Sequence, residues 1–191
     1  RMDSFLAKLL YLPGTPLTRW PYLYKWRKQR QREFVTMVHF FAGALRESFE
    51  EMRLNPLKVM FLGPLPPQAL VMFRREIYPM VCWLTQQTPF TLNREVEKLV
   101  YIPLRKLLEP SNYVRYRLQS EKPREAWGNT TAKDFPCFLY NRQHESEKLW
   151  GATFRISIAF LELVFGFRPP KIEMLPIVNG RLRKNYLTGN K

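Results

Sequence analysis

An α+β fold is what the order of patterns along this chain predicts, and three observations carry it. Residues 44–54 read as an amphipathic helix: Leu45, Phe49 and Met52 share one side, while Glu47, Glu50 and Glu51 sit at i, i+3 and i+4 on another. Short runs at 57–62, 77–84, 114–119 and 135–141 are rich in β-branched, aromatic and other apolar residues and are bounded by turn signals. A second helix is expected over 153–165, with Phe154, Ile158, Leu161 and Phe165 at core spacing. A chain of 191 residues, 46% hydrophobic and 15% aromatic, suits one globular unit with extensions and has ample material for a core.

Taken in order, residues 3–11 suggest a short helix. Pro13, Pro16 and Pro21 then disfavour regular structure, because each fixes φ and removes a backbone donor. Residues 23–32 fit a basic helical turn or two. The stretch 33–41, rich in Phe and Val, reads as a strand. After the acidic helix and the strand at 57–62, Gly63-Pro64-Leu65-Pro66-Pro67 forms a rigid turn. Pro79 inside the 77–84 run demands an edge position or a bulge. Residues 95–108 hold a short strand and then a short helix that Pro110 stops. The runs at 114–119 and 135–141 pair across a polar loop. There are no internal repeats and no long low-complexity runs.

Three carboxylates within one helical turn repel one another, by a few tenths of a kcal/mol per exposed pair. A divalent cation such as Mg²⁺ would convert that repulsion into a set of hard oxygen ligands; the plainer alternative is a solvated acidic face. The stretch Ala44-Leu45-Arg46-Glu47-Ser48-Phe49-Glu50-Glu51-Met52-Arg53-Leu54 resembles the second half of the Nudix box, the metal-holding helix of Nudix diphosphate hydrolases. Further segments resemble the coenzyme A diphosphatase-like branch of that family: Val59-Met60-Phe61-Leu62-Gly63-Pro64-Leu65, Tyr78-Pro79-Met80-Val81-Cys82-Trp83-Leu84, Glu95 through Leu104 with Leu107-Leu108, Phe135-Pro136, and Leu149-Trp150-Gly151-Ala152-Thr153-Phe154-Arg155-Ile156. The likeness runs from about residue 44 to 167 in order. It implies a Nudix-type α/β/α sandwich with a mixed β-sheet. It also implies that Glu47, Glu50 and Glu51 would hold Mg or Mn, with Arg46 orienting a glutamate, if catalysis survives.

The departures from the family pattern point to impaired catalysis. Arg32 and Val38 stand where the box has its upstream Gly and Glu, and the Pro-Gly-Gly loop before the box is missing. Arg53 occupies the place of the Gly that follows the paired glutamates. Gly there suits a positive φ, which Arg adopts only with strain; Asn55 and Pro56 could end the helix instead.

Charge divides the chain into a nearly balanced body and two basic ends. Residues 1–32 hold eight Lys/Arg and one acid, and residues 168–191 hold six and one; the body, 33–167, has 17 basic residues against 14 acidic, within an overall +15. These boundaries give the expected organisation: a basic, Pro- and aromatic-rich N-terminal extension, a Nudix-like domain and a basic C-terminal tail. The segment Arg19-Trp20-Pro21-Tyr22-Leu23-Tyr24-Lys25-Trp26-Arg27-Lys28-Gln29-Arg30-Gln31-Arg32 interleaves cations with aromatics. Cations neutralise phosphates and release counterions, while Trp and Tyr offer faces to unpaired bases or to the protein's own core. Arg19, Lys25, Trp26, Arg27, Lys28, Arg30 and Arg32, with Arg181, Arg183 and Lys184 of the tail, are the candidate RNA-binding residues. Trp20 and Tyr22 could equally dock onto the domain.

Other chemistries have little support. Cys82 and Cys137 cannot build a disulfide framework or a cysteine zinc site; as buried, reduced thiols they suit an intracellular compartment. His39 and His144 read as structural or solvated, and neither a Walker phosphate loop nor a nucleophile elbow occurs. The uncharged stretch 34–45 is twelve residues, too short to span a bilayer. Two function classes remain. One is an RNA-binding or structural component of a ribonucleoprotein, with RNA and other proteins as partners; the resemblance permits a mitochondrial setting, namely the ribosome, its assembly intermediate or an RNA-processing complex. The other is an active Mg/Mn-dependent diphosphatase acting on coenzyme A, a nucleoside diphosphate derivative or an RNA 5′ end.

Overall fold

The structure, a computed structural model, describes residues 2–69, 76–86, 89–124, 127–142 and 145–181. In chain order these form α1 (Met2–Leu9), α2 (Leu23–Gln29), α3 (Gln31–Met52), β1 (Val59–Pro64), β2 (Gln68–Ala69), β3 (Glu76–Ile77), β4 (Met80–Leu84), α4 (Leu104–Leu107), β5 (Tyr113–Arg124), β6 (Thr130–Arg142), β7 (Glu145–Trp150), α5 (Gly151–Phe165) and β8 (Ile177–Arg181). The chain is α+β, as expected, and its largest sheet is mixed. Two compact units emerge: Arg1–Pro67 with Tyr78–Leu99, and Gln68–Ile77 with Val100–Lys191. The residue 32/33 boundary drawn from charge falls inside α3 of the first unit.

In the first unit, α3 runs straight through residues 33–41, where a strand was expected. Composition suggested β, but the apolar period is helical: Phe34, Met37, Val38, Phe41, Ala42 and Leu45 are buried at steps of three and four, while Val35 and Phe40 face solvent. Burial along one stripe outweighs the modest β preference of Phe and Val. His39 is therefore an exposed helical residue, its Nδ1 2.8 Å from the Val35 carbonyl oxygen.

The helix ends at Arg53, not at Asn55–Pro56. Arg53 adopts the left-handed conformation (φ 56°, ψ 32°). Its N–H bonds the Phe49 carbonyl and the Leu54 N–H bonds that of Ser48, a Schellman ending built without glycine. The guanidinium lies 5.2 Å from the Phe49 ring centroid, a cation–π contact that offsets part of the strain. The last carbonyls of α3 are satisfied by the chain at 91–93: Thr91 N–H donates to Met52 O, and Asn93 N–H to Glu51 O. Asn55 instead caps the following 3₁₀ turn, its side chain accepting from the Leu57 N–H.

β1 pairs antiparallel with β4, with a register shift between Phe61 and Gly63. The expected 77–84 strand is split at Tyr78–Pro79: β3 pairs with β2, and β4 with β1. A proline cannot donate to a ladder, so the break falls where sequence placed the irregularity. Lys58 O faces β4 and accepts the Thr85 N–H, so the neighbouring carbonyls point to the opposite edge of β1, which pairs with no strand among the described residues. Side chains of the first 32 residues cap that edge. Arg19 Nη2 donates to Leu57 O (2.8 Å) and Val59 O (3.1 Å), and Trp20 Nε1 donates to Leu62 O (3.1 Å). Leu17, Trp20 and Leu23 are buried in the same cluster as Phe34, Phe41 and Phe61. Of the two readings for Trp20, docking is the one realised; Tyr22 is exposed, its ring edge-on to Trp20.

The second unit is built on the sheet β7-β6-β5-β8, antiparallel except for the parallel pair β5–β8. The expected pairing of 114–119 with 135–141 is present, extended to Tyr113↔Phe138. α5 packs on β6 and β7. Phe154 and Leu161 are buried with Tyr113, Phe138, Leu107 and Leu175, but Phe165, at the last position of the helix, is exposed. No strand forms over 95–103; this stretch runs without regular structure to α4. Gly166 ends α5 with the same Schellman pair of hydrogen bonds that Arg53 makes. Cys137 is buried, and its desolvated thiol is pushed up to about 11, which keeps it protonated and inert. Cys82, expected to be buried, lies exposed on β4. Among the described residues no helix is long and apolar enough to cross a membrane.

Candidate nucleic-acid interface

α2 is short and its anchors are apolar. Leu23 is buried and Trp26 half-buried at i, i+3, which turns the remaining positions outward. Tyr24, Lys25, Arg27 and Lys28 are exposed in consequence, followed by Arg30 and Arg32 where the chain turns into α3. The anchor is a cluster of rings: Trp20 lies 5.6 Å from Trp26 and 5.0 Å from Phe61. Such contacts fix the backbone that carries the cations.

The ten candidate RNA-binding residues separate by use. Arg19 is committed to the β1 edge, and Trp26 packs against the core. Arg30 pairs with Glu33 at 3.1 Å and sits 5.4 Å from the Trp26 ring centroid. Lys25, Arg27, Lys28 and Arg32 have no ion-pair or hydrogen-bond partner for their side chains among the described residues. Arg181 closes β8, exposed and opposite Gln119. Arg183 and Lys184 lie outside the described residues, as does His144.

Beside α2, a cleft of about 560 Å³ opens within the first unit. Met37 and Leu65 are buried at its floor, Pro64, Pro66 and Pro67 form a stiff wall, and Arg30, Arg32, Glu33 and Thr36 are exposed at its rim. Trp26 and Tyr78 also line it. Tyr78 is stacked on Phe40 at 4.1 Å with an interplanar angle of 9°. Sequence reading found the proline turn but not the cleft, because Tyr78 reaches it only through the β1–β4 pairing.

The acidic face of α3 is organised around Arg46. Its guanidinium bonds Asp3 (2.8 Å), Glu50 (2.8 Å) and Glu47 (2.5 Å). Hydrogen bonds to Asp3 and then Glu50 raise its pKa above the ordinary arginine value, so it stays charged at any accessible pH. Asp3 was not foreseen, since nothing local links positions 43 residues apart. For a Mg or Mn ion the donor type is right, and Arg46 bonds two of the glutamates, as the resemblance implies for an orienting arginine. Glu51 is not part of the Arg46 cluster.

Neither the models of known protein families nor the curated proteins give a match to this chain.

Proposed function

We propose that this chain is a Nudix-like protein of impaired catalysis that serves as an RNA-binding or structural component of a ribonucleoprotein. The observation that carries the reading is the set of four exposed cations with no side-chain partner among the described residues: Lys25, Arg27 and Lys28 on α2, which buried Leu23 anchors, and Arg32 at the start of α3. Cations without internal partners neutralise phosphates at little reorganisation cost, and their binding strength depends on salt rather than sequence. The reading of impaired catalysis rests on Arg32, Val38 and Arg53 standing where the family pattern has Gly, Glu and Gly. A mitochondrial ribosome, an assembly intermediate or an RNA-processing complex is the setting this reading anticipates.

The test is titration of an unstructured RNA at several salt concentrations. Replacing Lys25, Arg27, Lys28 and Arg32 together by Gln should flatten the slope of log K against log salt by about three, the share expected of four contacts on a single strand. An unchanged slope removes the claim, and equal affinity for polyglutamate would replace RNA by an acidic protein partner. Turnover of coenzyme A, a nucleoside diphosphate derivative or capped RNA with Mn²⁺, abolished in Glu50→Gln, would restore the diphosphatase reading.

A further inference from the structure

We infer that the cleft between α2, the start of α3 and the Pro64–Pro67 turn receives one unpaired base of a bound RNA strand, with Arg32 on the adjoining phosphate; this rests on the RNA reading above. Its volume, about 560 Å³, lies within the roughly 300–1,000 Å³ usual for small-molecule sites. The floor and wall are apolar and stiff: Met37 and Leu65 are buried, and prolines lack the rotamer freedom that ordering would cost. Flat apolar walls beside two aromatic rings suit a flat aromatic guest. Phe40 stacks on Tyr78 and holds that ring in place before anything binds.

The rim distinguishes a nucleotide from an acyl chain or an apolar peptide. Arg32 lines the cleft and has no partner among the described residues, so an anion is the complementary neighbour. Glu33 and the Thr36 hydroxyl, also at the rim, present acceptors to the exocyclic amine or ring N–H of a base. Lys25, Arg27 and Lys28 stand on the same helix as the lining residue Trp26, so a backbone tracked by α2 passes beside the opening.

The experiment uses the whole chain and two labelled strands of equal length, an oligouridylate of about ten nucleotides and its abasic counterpart, with binding read by anisotropy. The base-bearing strand should bind about tenfold more tightly, the ratio that one stacked base supplies. Thr36→Trp, a change at an exposed position that fills the cleft, should erase that ratio and leave the salt slope intact. Arg32→Gln should weaken both strands and lower the slope. Equal affinity for the two strands, which needs no variant to observe, overturns the base site while the RNA reading stands, and so does a ratio that survives Thr36→Trp. Failure of both strands to bind overturns the two together.

Discussion

The second unit spends several arginines on its own fold, whereas the first gathers open cations into one short run. In the second unit, Arg115 donates to the carbonyls of Ile172 and Glu173 and lies 3.7 Å from Asp134, Arg117 grips Asp134 through two bonds of 2.8 and 2.9 Å, and Arg168 pairs with Glu162. In the first, Arg19 and Arg46 are similarly employed, yet four of the cations between residues 25 and 32 have no hydrogen-bond or ion-pair partner for their side chains among the described residues. Net charge alone does not separate these groups. A guanidinium that closes a carbonyl edge stabilises the fold; one anchored in the open is available to a ligand.

The sharpest way to break the contrast is to remove one cation of each kind. Arg115→Gln loses charge-assisted bonds to two carbonyls and should cost about 2–3 kcal/mol in denaturant unfolding. Lys28→Gln should stay within about 0.5 kcal/mol, as exposed substitutions do. A similar cost at both positions would erase the distinction.

A smaller effect is expected at Asp134. Hydrogen bonds from Arg117, then the charges of Arg117 and Arg115, hold its carboxyl below the usual aspartate range. A depressed carboxylate stabilises the fold fully above the unfolded value, near 3.9 for Asp, and this contribution is lost as pH falls through the folded value. Asp134→Asn should therefore cost about 1 kcal/mol at neutral pH and flatten the stability curve below about pH 4. An acid limb of unchanged steepness would place the titrating group elsewhere.

The two Schellman endings give the smallest and most specific comparison. Gly166 reaches φ 64° freely, whereas Arg53 holds φ 56° against its Cβ. Arg53→Gly should raise stability by up to about 1 kcal/mol, the relief of left-handed strain less the lost contact with Phe49. Destabilisation by that change would mean the Phe49 contact outweighs the strain.

Much of the second unit was legible in sequence. The β5–β6 pairing and α5 follow from local alternation and from apolar spacing near 3.6, and both periods are set by neighbouring residues. The first unit was read less well. A stretch such as Phe34 to Phe41 is rich in strand formers yet periodic as a helix, and composition pointed one way while spacing pointed the other. The aromatic and basic segment was recognised as a whole, but not which of its members would be spent on packing.

By itself the sequence determined the α+β class, the acidic turn at Glu47–Glu51, the concentration of positive charge at the ends and the turn chemistry at Pro64–Pro67. Tertiary structure alone decided that Asp3 joins Glu47 and Glu50 on Arg46, that Arg19 and Trp20 close the edge of β1, and that Lys25, Arg27, Lys28 and Arg32 stay open. Periodicity is a property of residues a few positions apart and is written locally. The partner of a guanidinium depends on which distant carbonyl or carboxylate the folded chain brings within about 3 Å, and no local pattern carries that information.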